Sequence, residues 1–319
     1  MLAADSMSGI RVRLPFRTSG RQRPGRRYAS YRPDLATEVS RLEDRCLMAT
    51  FQFKGYDWSN DYRHNLEGKG WYSSGQQWAP RNAFGNASGL HLQLKTATIK
   101  TPDKDYTDMS SAELDLVGKD GRPFHPGYGT YLVAAQTPGG FNNLANNQTV
   151  VFGAFTYQKN ADPSQINTYH ELDMVEASRF GTSPNGWIGD PTNAQFAIQP
   201  YTHSPGINSL YNNVNVHRIT LDNSNDIALA MVWKGANQPV TFYAYYGIKD
   251  LDQLKTATPA VAWTTTASQN PLIPNSGQHT IHLNLWRQPQ SPDLPKNFQA
   301  EVTIKNFQYN TATNIIPVP

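Results

Sequence analysis

Residues 171–176 read ELDMVE, and three of the six carry carboxyl groups. Glu171, Asp173 and Glu176 are interleaved with Leu172, Met174 and Val175, apolar side chains that each gain about 1.5–3 kcal/mol on burial. A strand satisfies both halves by laying one face on an apolar layer. Residues two apart share a face, so Glu171 and Asp173 point together while Leu172 and Met174 point to the core. Strict alternation would then bring Val175, not Glu176, to the acidic face. One extra residue, a β-bulge, restores the phase, and bulges recur beside active sites where they re-aim a side chain. Four ladder steps of about 3.3 Å set the two Glu Cα atoms roughly 13 Å apart. Side chains leaning together over a concave sheet close that to about 5–6 Å, near the ~5–5.5 Å at which one carboxylate attacks a sugar carbon and the other protonates the leaving oxygen. The wider gap of about 6.5–9.5 Å, which admits a water, fits less well. On this reading Glu171 is the nucleophile and Glu176 the acid/base. Asp173 raises the pKa of Glu176 and orients Glu171. The alternative for the same pattern is three exposed acids on the wet face of an edge strand.

Such a row needs a sheet beneath it, and the rest of the chain supplies strands. Thirty-six aromatics, 23 Gly and 22 Pro, with 17% charged residues, predict many short strands joined by turns. GLHLQLKTA alternates Leu90, Leu92 and Leu94 against His91, Gln93 and Lys95. Similar runs are FQFKGYDW, SSAELDLVG, GYGTYLVAAQT, TVVFGAFTYQ, NAQFAIQPY, NVHRITLD, IALAMVWKG, VTFYAYYG, HTIHLNLWR and AEVTIKNFQYN. About twelve strands with little helix predict an all-β fold, an antiparallel β-sandwich of jelly-roll, concanavalin-like type. Only KDLDQLKTA reads as helical. Residues 1–49 form a separate segment: RVRLPFRTSGRQRPGRRYASYRP is Arg-rich and predicted to be disordered. A short helix follows, on Leu35, Val39, Leu42 and Cys46 after an Asp34 N-cap. The β-sandwich domain is expected over 50–319.

The charge is uneven. Residues 1–50 hold ten Arg and five acids (+5), so the overall +3 leaves the remainder, 18 basic and 20 acidic, at −2. A globular part of that sign predicts no nucleic-acid partner. The single cysteine, Cys46, excludes an intrachain disulfide and a Cys-based zinc site. No apolar run reaches the ~18 residues of a membrane span. No ordinary signal peptide is visible, yet RLEDRCLMA resembles boxes that precede the mature domain of some exported bacterial proteins, so export is expected. HEL at 170 starts no zinc-protease motif, because position 174 is Met. His279 and His282 flank a strand and read as surface or core contacts rather than ligands. No nucleophile elbow, phosphate loop or dinucleotide fingerprint occurs.

The acidic hexapeptide resembles the bulged E-[IL]-D-x-x-E signature of glycoside hydrolase family 16. Further along the chain, YGTYLVAAQ, VVFGAFTYQ, NAQF and LNLW are similar, in order, to strands of that family, over roughly residues 55–310. The resemblance implies a retaining endo-glycosidase acting on β-linked polysaccharide, a β-1,3 or mixed β-1,3/1,4-glucan first and a galactan next. Glu171 is then the nucleophile, Asp173 the assisting acid and Glu176 the acid/base. Phe155, Tyr157, Gln195, Asn284 and Trp286 would line the cleft, and Glu113 would bind sugar. Flat aromatics and amides suit a ligand with apolar faces and a rim of hydroxyls. Departures fall at Asp115, where lichenases carry Arg, and at Asn223, where many members have Trp. Gln199 and Arg179 are further subsite candidates. The chemistry needs no cofactor, and a structural Ca²⁺ is implied by the family without ligands to assign. A monomer is expected. Two other readings remain: a catalytically silent, lectin-like carbohydrate-binding protein, and a transglycosylase that hands the covalent intermediate to another sugar.

Overall fold

The computed structural model describes residues 49–60, 72–73, 76–100, 105–146, 150–158, 171–179, 191–199, 215–287, 295 and 297–317. The basic tail and the helix expected around Cys46 lie outside the described residues. Two antiparallel sheets pack face to face. The front sheet runs, in spatial order, through β1 (Thr50–Phe53), β2 (Tyr56–Ser59), β7 (Asp105–Val117) and β16 (Thr280–Arg287). It continues through β9 (Val150–Tyr157), β10 (Glu171–Ala177), β11 (Ala194–Gln199) and β12 (Val216–Ile219). The back sheet is β5 (Ala83–Asn86), β6 (Gly89–Lys100), β17 (Gln299–Asn310) and β8 (Gly129–Gln136). Beyond β8 come β13 (Asp226–Trp233), β14 (Val240–Tyr246) and β15 (Val261–Thr264). The expected antiparallel sandwich is the fold observed.

The far end of β6 pairs with the near end of β7, so one long hairpin links the two sheets. Beside it, β3 (Tyr72–Ser73) and β4 (Gln76–Trp78) add a short flap, with β4 parallel to β7. FQFKGYDW, expected as one strand, is a hairpin. Lys54 and Gly55 both adopt positive φ (54° and 81°), the conformation of the tight turn that matches strand twist. The expected helix in KDLDQLKTA is a single turn, α2 (Leu251–Leu254), closed by a capping box between Asp250 and Gln253. An unexpected turn of helix, α1 (Phe141–Ala145), fills the gap before β9.

Alternation decides what lies between the sheets. Leu114, Leu116, Phe152, Ala154, Leu172, Phe196, Leu283 and Leu285 of the front sheet meet Leu92, Val133, Leu229, Met231, Phe242 and Phe307 of the back sheet, all essentially buried. The opposite phase of the front sheet therefore turns the polar members of β7, β16, β9, β10 and β11 to its outer face. The outer face of the back sheet is apolar too. Leu132, Ala230, Tyr243 and Tyr245 lie there under Leu251, Leu254 and Ile316.

Candidate active site

On β10 the ladder slips where the sequence predicts it. Against β9, Asp173 pairs with Phe155 but Val175 already pairs with Ala154, so Met174 is the extra residue. Against β11 the shift falls between Asp173 and Glu176. Met174 and Val175 consequently both enter the core, each fully buried. Glu176 comes back to the face of Glu171 and Asp173. The edge-strand alternative does not describe this element: β10 has β9 on one side and β11 on the other.

Register then lays out the site as rows running across the strands. One row reads Glu113 (β7), Asn284 (β16), Gly153 (β9), Glu176 (β10), Gln195 (β11) and Arg218 (β12). The next reads Asp115, His282, Phe155, Asp173 and Ala197. A third joins Thr280, Tyr157, Glu171 and Gln199. Eight of the nine catalytic, cleft-lining and sugar-binding residues expected from the sequence stand in these rows, as does the further subsite candidate Gln199. The ninth, Trp286, lies two pairs beyond Asn284 on β16, opposite Val151.

Gly153 has a reason to lack a side chain. A Cβ there would run into the Asn284 amide oxygen, so its absence leaves Asn284 and Glu176 facing each other across bare backbone. Asn284 Oδ1 is buried with no hydrogen-bond partner.

Bonding within the rows is specific. Gln195 is fully buried; its Nε2 donates to Glu176 Oε2 and its Oε1 accepts from Arg218 Nη1. Expected as a cleft-lining amide, it is bonded to Glu176 from the neighbouring strand. Gln199 Nε2 donates to Asp173 Oδ2 at 3.3 Å. His282 Nδ1 lies 2.8 Å from Asp115 Oδ1 and 3.2 Å from Glu113 Oε1. Its ring stacks on Phe155 (5.2 Å, 16°) and meets the edge of Tyr157.

Burial sets the electrostatics. Glu171 is pushed up to about 7, first by desolvation, with Glu176 and Glu113 adding to the rise while Asp173's hydrogen bond and His282 oppose it. Asp173 rises well above the usual range through desolvation and the neighbouring Glu171 and Glu176. Its Oδ1 is buried with no hydrogen-bond partner. Glu176 is raised by desolvation, against the pull of Gln195 and Arg218. Burial is the largest cause of the rise at Glu176, while the charge interaction with Glu176 is felt at Asp173. For His282, burial disfavours the charge, but Asp115 and Glu113 outweigh it and raise the pKa to about 10.

Comparison with known proteins finds likeness in shape. Solved structures similar to the chain include the laminarinase catalytic domain from Thermotoga maritima, at 15% identity and a TM-score of 0.49, covering 82% of this chain and 94% of that one. A prokaryotic β-1,3-1,4-glucanase (lichenase) from a mouse hindgut metagenome is similar at 18% identity and 0.43, over 74% and 86%. The κ-carrageenase from Zobellia galactanivorans follows at 12% and 0.43, over 73% and 82%. No family model and no curated protein matches the chain. The likeness is one of fold.

Sequence reasoning missed three groups of this face: Gly153, Arg218 and the His282–Asp115 pair. Each acts across strands distant in sequence, and only the LNLW and SSAELDL runs hinted that β16 and β7 were neighbours of the acids. His217 of β12 faces the other way; its ring stacks between Phe196 and Trp263. Glu113, Asp115 and His282 are a group among the described residues whose ligand atoms lie close enough, within 4.8 Å, to hold one cation.

Proposed function

We propose that the chain is a retaining endo-glycoside hydrolase of glycoside hydrolase family 16 type, acting on β-linked polysaccharide, a β-1,3 or mixed β-1,3/1,4-glucan before a galactan. The observation that carries this reading is the bulge at Met174, which returns Glu176 to the face of Glu171 and Asp173. Raised pKa values on all three acids suit the chemistry. Glu171, as carboxylate, attacks the anomeric carbon, while Glu176 donates its proton to the departing glycosidic oxygen. A water deprotonated by Glu176 then cleaves the glycosyl ester and regenerates Glu171. Asp173 donates its hydrogen bond to Glu171 and keeps one oxygen oriented. Phe155 and Tyr157 offer flat apolar surface, and Asn284 a free amide oxygen for a sugar hydroxyl. Crowding three carboxyls where water cannot solvate them is unfavourable to folding. A lectin has no use for that arrangement.

Reducing ends released from defined glucans and galactans, with linkage analysis of the products, test the reading. Glu171→Ala should lose hydrolysis by a factor of about 10⁴ or more while staying folded, because covalent catalysis is removed. Azide should restore turnover and yield a glycosyl azide of inverted configuration. Normal turnover in Glu171→Ala, or binding without turnover in the wild type, sinks the proposal.

A further inference from the structure

In the first row of the site an amide lies between two charged side chains, and its orientation is forced. Gln195 of β11 stands between Glu176 of β10 and Arg218 of β12 in cross-strand register. A guanidinium has five donors and no acceptor, so the end of the amide that meets Arg218 Nη1 is the oxygen. The NH2 end therefore faces Glu176 and donates to Oε2. In a neutral carboxyl the carbonyl oxygen is the better acceptor, and a hydroxyl on Oε2 would set its hydrogen against that NH2. The other oxygen, Oε1, has no hydrogen-bond partner among the described residues. We propose that Arg218 is a positioning residue for the acid/base: by fixing the Gln195 amide, it places the transferable proton of Glu176 on Oε1. This deepens the glycosidase reading and rests on it. In the first step Oε1 gives its proton to the departing glycosidic oxygen while Glu171 bonds to the anomeric carbon. In the second, Oε1 takes a proton from the water whose oxygen displaces Glu171.

Gln195 is fully buried, and a buried amide oxygen without a donor is unfavourable. With Arg218 removed, the amide gains by turning over. Its oxygen then accepts a proton from Glu176 Oε2, and the acid is held on the side of the carboxyl away from Oε1. A fixed NH2 donor favours the carboxylate, whereas a fixed carbonyl acceptor favours the neutral acid. In the same sense, burial raises Glu176 while Gln195 and then Arg218 oppose the rise. Among the described residues, the other charged groups facing Glu176 are Asp173 and Glu171 on β10 and Glu113 on β7. Between Glu176 and Glu113, β9 and β16 present Gly153 and Asn284, neither charged. Arg218 is the cation of that row.

Leaving groups separate a misplaced proton from a damaged fold. Arg218→Met should lower kcat/KM on polysaccharide by about 10²-fold, the low end of what general acid catalysis contributes. A dinitrophenyl glycoside of the oligosaccharide released by cleavage needs no proton on departure, so its kcat/KM should change less than about threefold. The alkaline limb of kcat/KM on polysaccharide, which follows loss of the acid's proton, should move up by about one pH unit although the plateau falls. Equal losses on both substrates with an unmoved limb would leave Arg218 a merely structural role and overturn the proposal. Two titrations need no substrate. Carboxyl-carbon NMR should show the Glu176 midpoint higher in Arg218→Met than in the wild type, and an unchanged midpoint counts against the proposal. In the wild type, the side-chain NH2 protons of Gln195 should shift downfield with the midpoint of Glu176. Amide protons indifferent to that ionisation would overturn the proposal, even where the variant does not fold. If no glycan is cleaved at all, these titrations still decide the orientation of the amide, so failure of this proposal and failure of the glycosidase reading are separable.

Discussion

Glu171 is held in the fold at a pKa of about 7, against an ordinary value near 4.5, and that difference is also a statement about stability. Between those two pH values the folded protein keeps a proton that the unfolded chain has released. Stability contributed by Glu171 is therefore full below about pH 4.5 and declines until about pH 7. His282 acts in the same direction in the next window. Its folded pKa of about 10 lies above the ordinary 6.5, so its contribution is lost as pH rises from there towards 10. Urea unfolding should accordingly show the wild type less stable at pH 8 than at pH 5. Glu171→Gln, which has no charge to desolvate, should flatten the lower part of that slope and be more stable than wild type at pH 8. The difference is on the order of 3 kcal/mol, since one pKa unit corresponds to about 1.4 kcal/mol. Equal pH dependence in both proteins would mean that Glu171 ionises in the fold as freely as in water. The gain in stability would accompany loss of the proposed nucleophile, as is common where a site holds groups in environments they disfavour.

The bulge on β10 is the element on which the acid row depends, and its register makes an unusual forecast. From Glu171 to Glu176 the partner strand advances from Tyr157 to Gly153, four residues against five. Deleting Val175 would leave E-L-D-M-E, in which strict alternation keeps all three acids on one face and the same β9 partners opposite them. That variant should retain measurable hydrolysis, losing about 1.5–3 kcal/mol of stability for the missing buried Val. Inserting an alanine after Val175 shifts the phase by one and drives the Glu176 carboxyl toward the core. It should abolish activity and destabilise by several kcal/mol. Paired measurements of turnover and unfolding midpoint check both, and an active insertion variant would show that β10 does not set the row. The same element explains what could be read in advance. Acid and apolar phases are written side by side in ELDMVE, so the bulge was legible from six residues. His282 and Asp115 were not, because their meeting depends on β16 pairing with β7, 167 positions apart by number. The split of FQFKGYDW into a hairpin was missed for a local reason: Lys54 occupies a positive-φ position that the pattern gives no cause to expect of lysine.

At the scale of the molecule, the two outer faces of the sandwich have different tasks. The front one carries the acids. The back one is sealed by α2 and the segment after β17, where Ile316 is 3% exposed. Thr130 Oγ1 donates to Ala312 O at 2.7 Å and Tyr243 OH to Pro317 O at 3.2 Å, so side chains of the sheet hold the covering segment in place. Sheets packed face to face lie about 10 Å apart, and the acids and Ile316 are on the far sides of both. Perturbations that distant, with no shared partners, act independently. Ile316→Ala should therefore cost about 2–5 kcal/mol, the usual range for emptying a buried aliphatic site. It should leave kcat/KM of the remaining folded protein within twofold of wild type at a temperature where both are native. Denaturant unfolding and initial rates on the same preparation check the pair. A large fall in kcat/KM with native stability would mean that the covering segment communicates with the acid row through the sandwich, against the rigid two-layer packing that positions it.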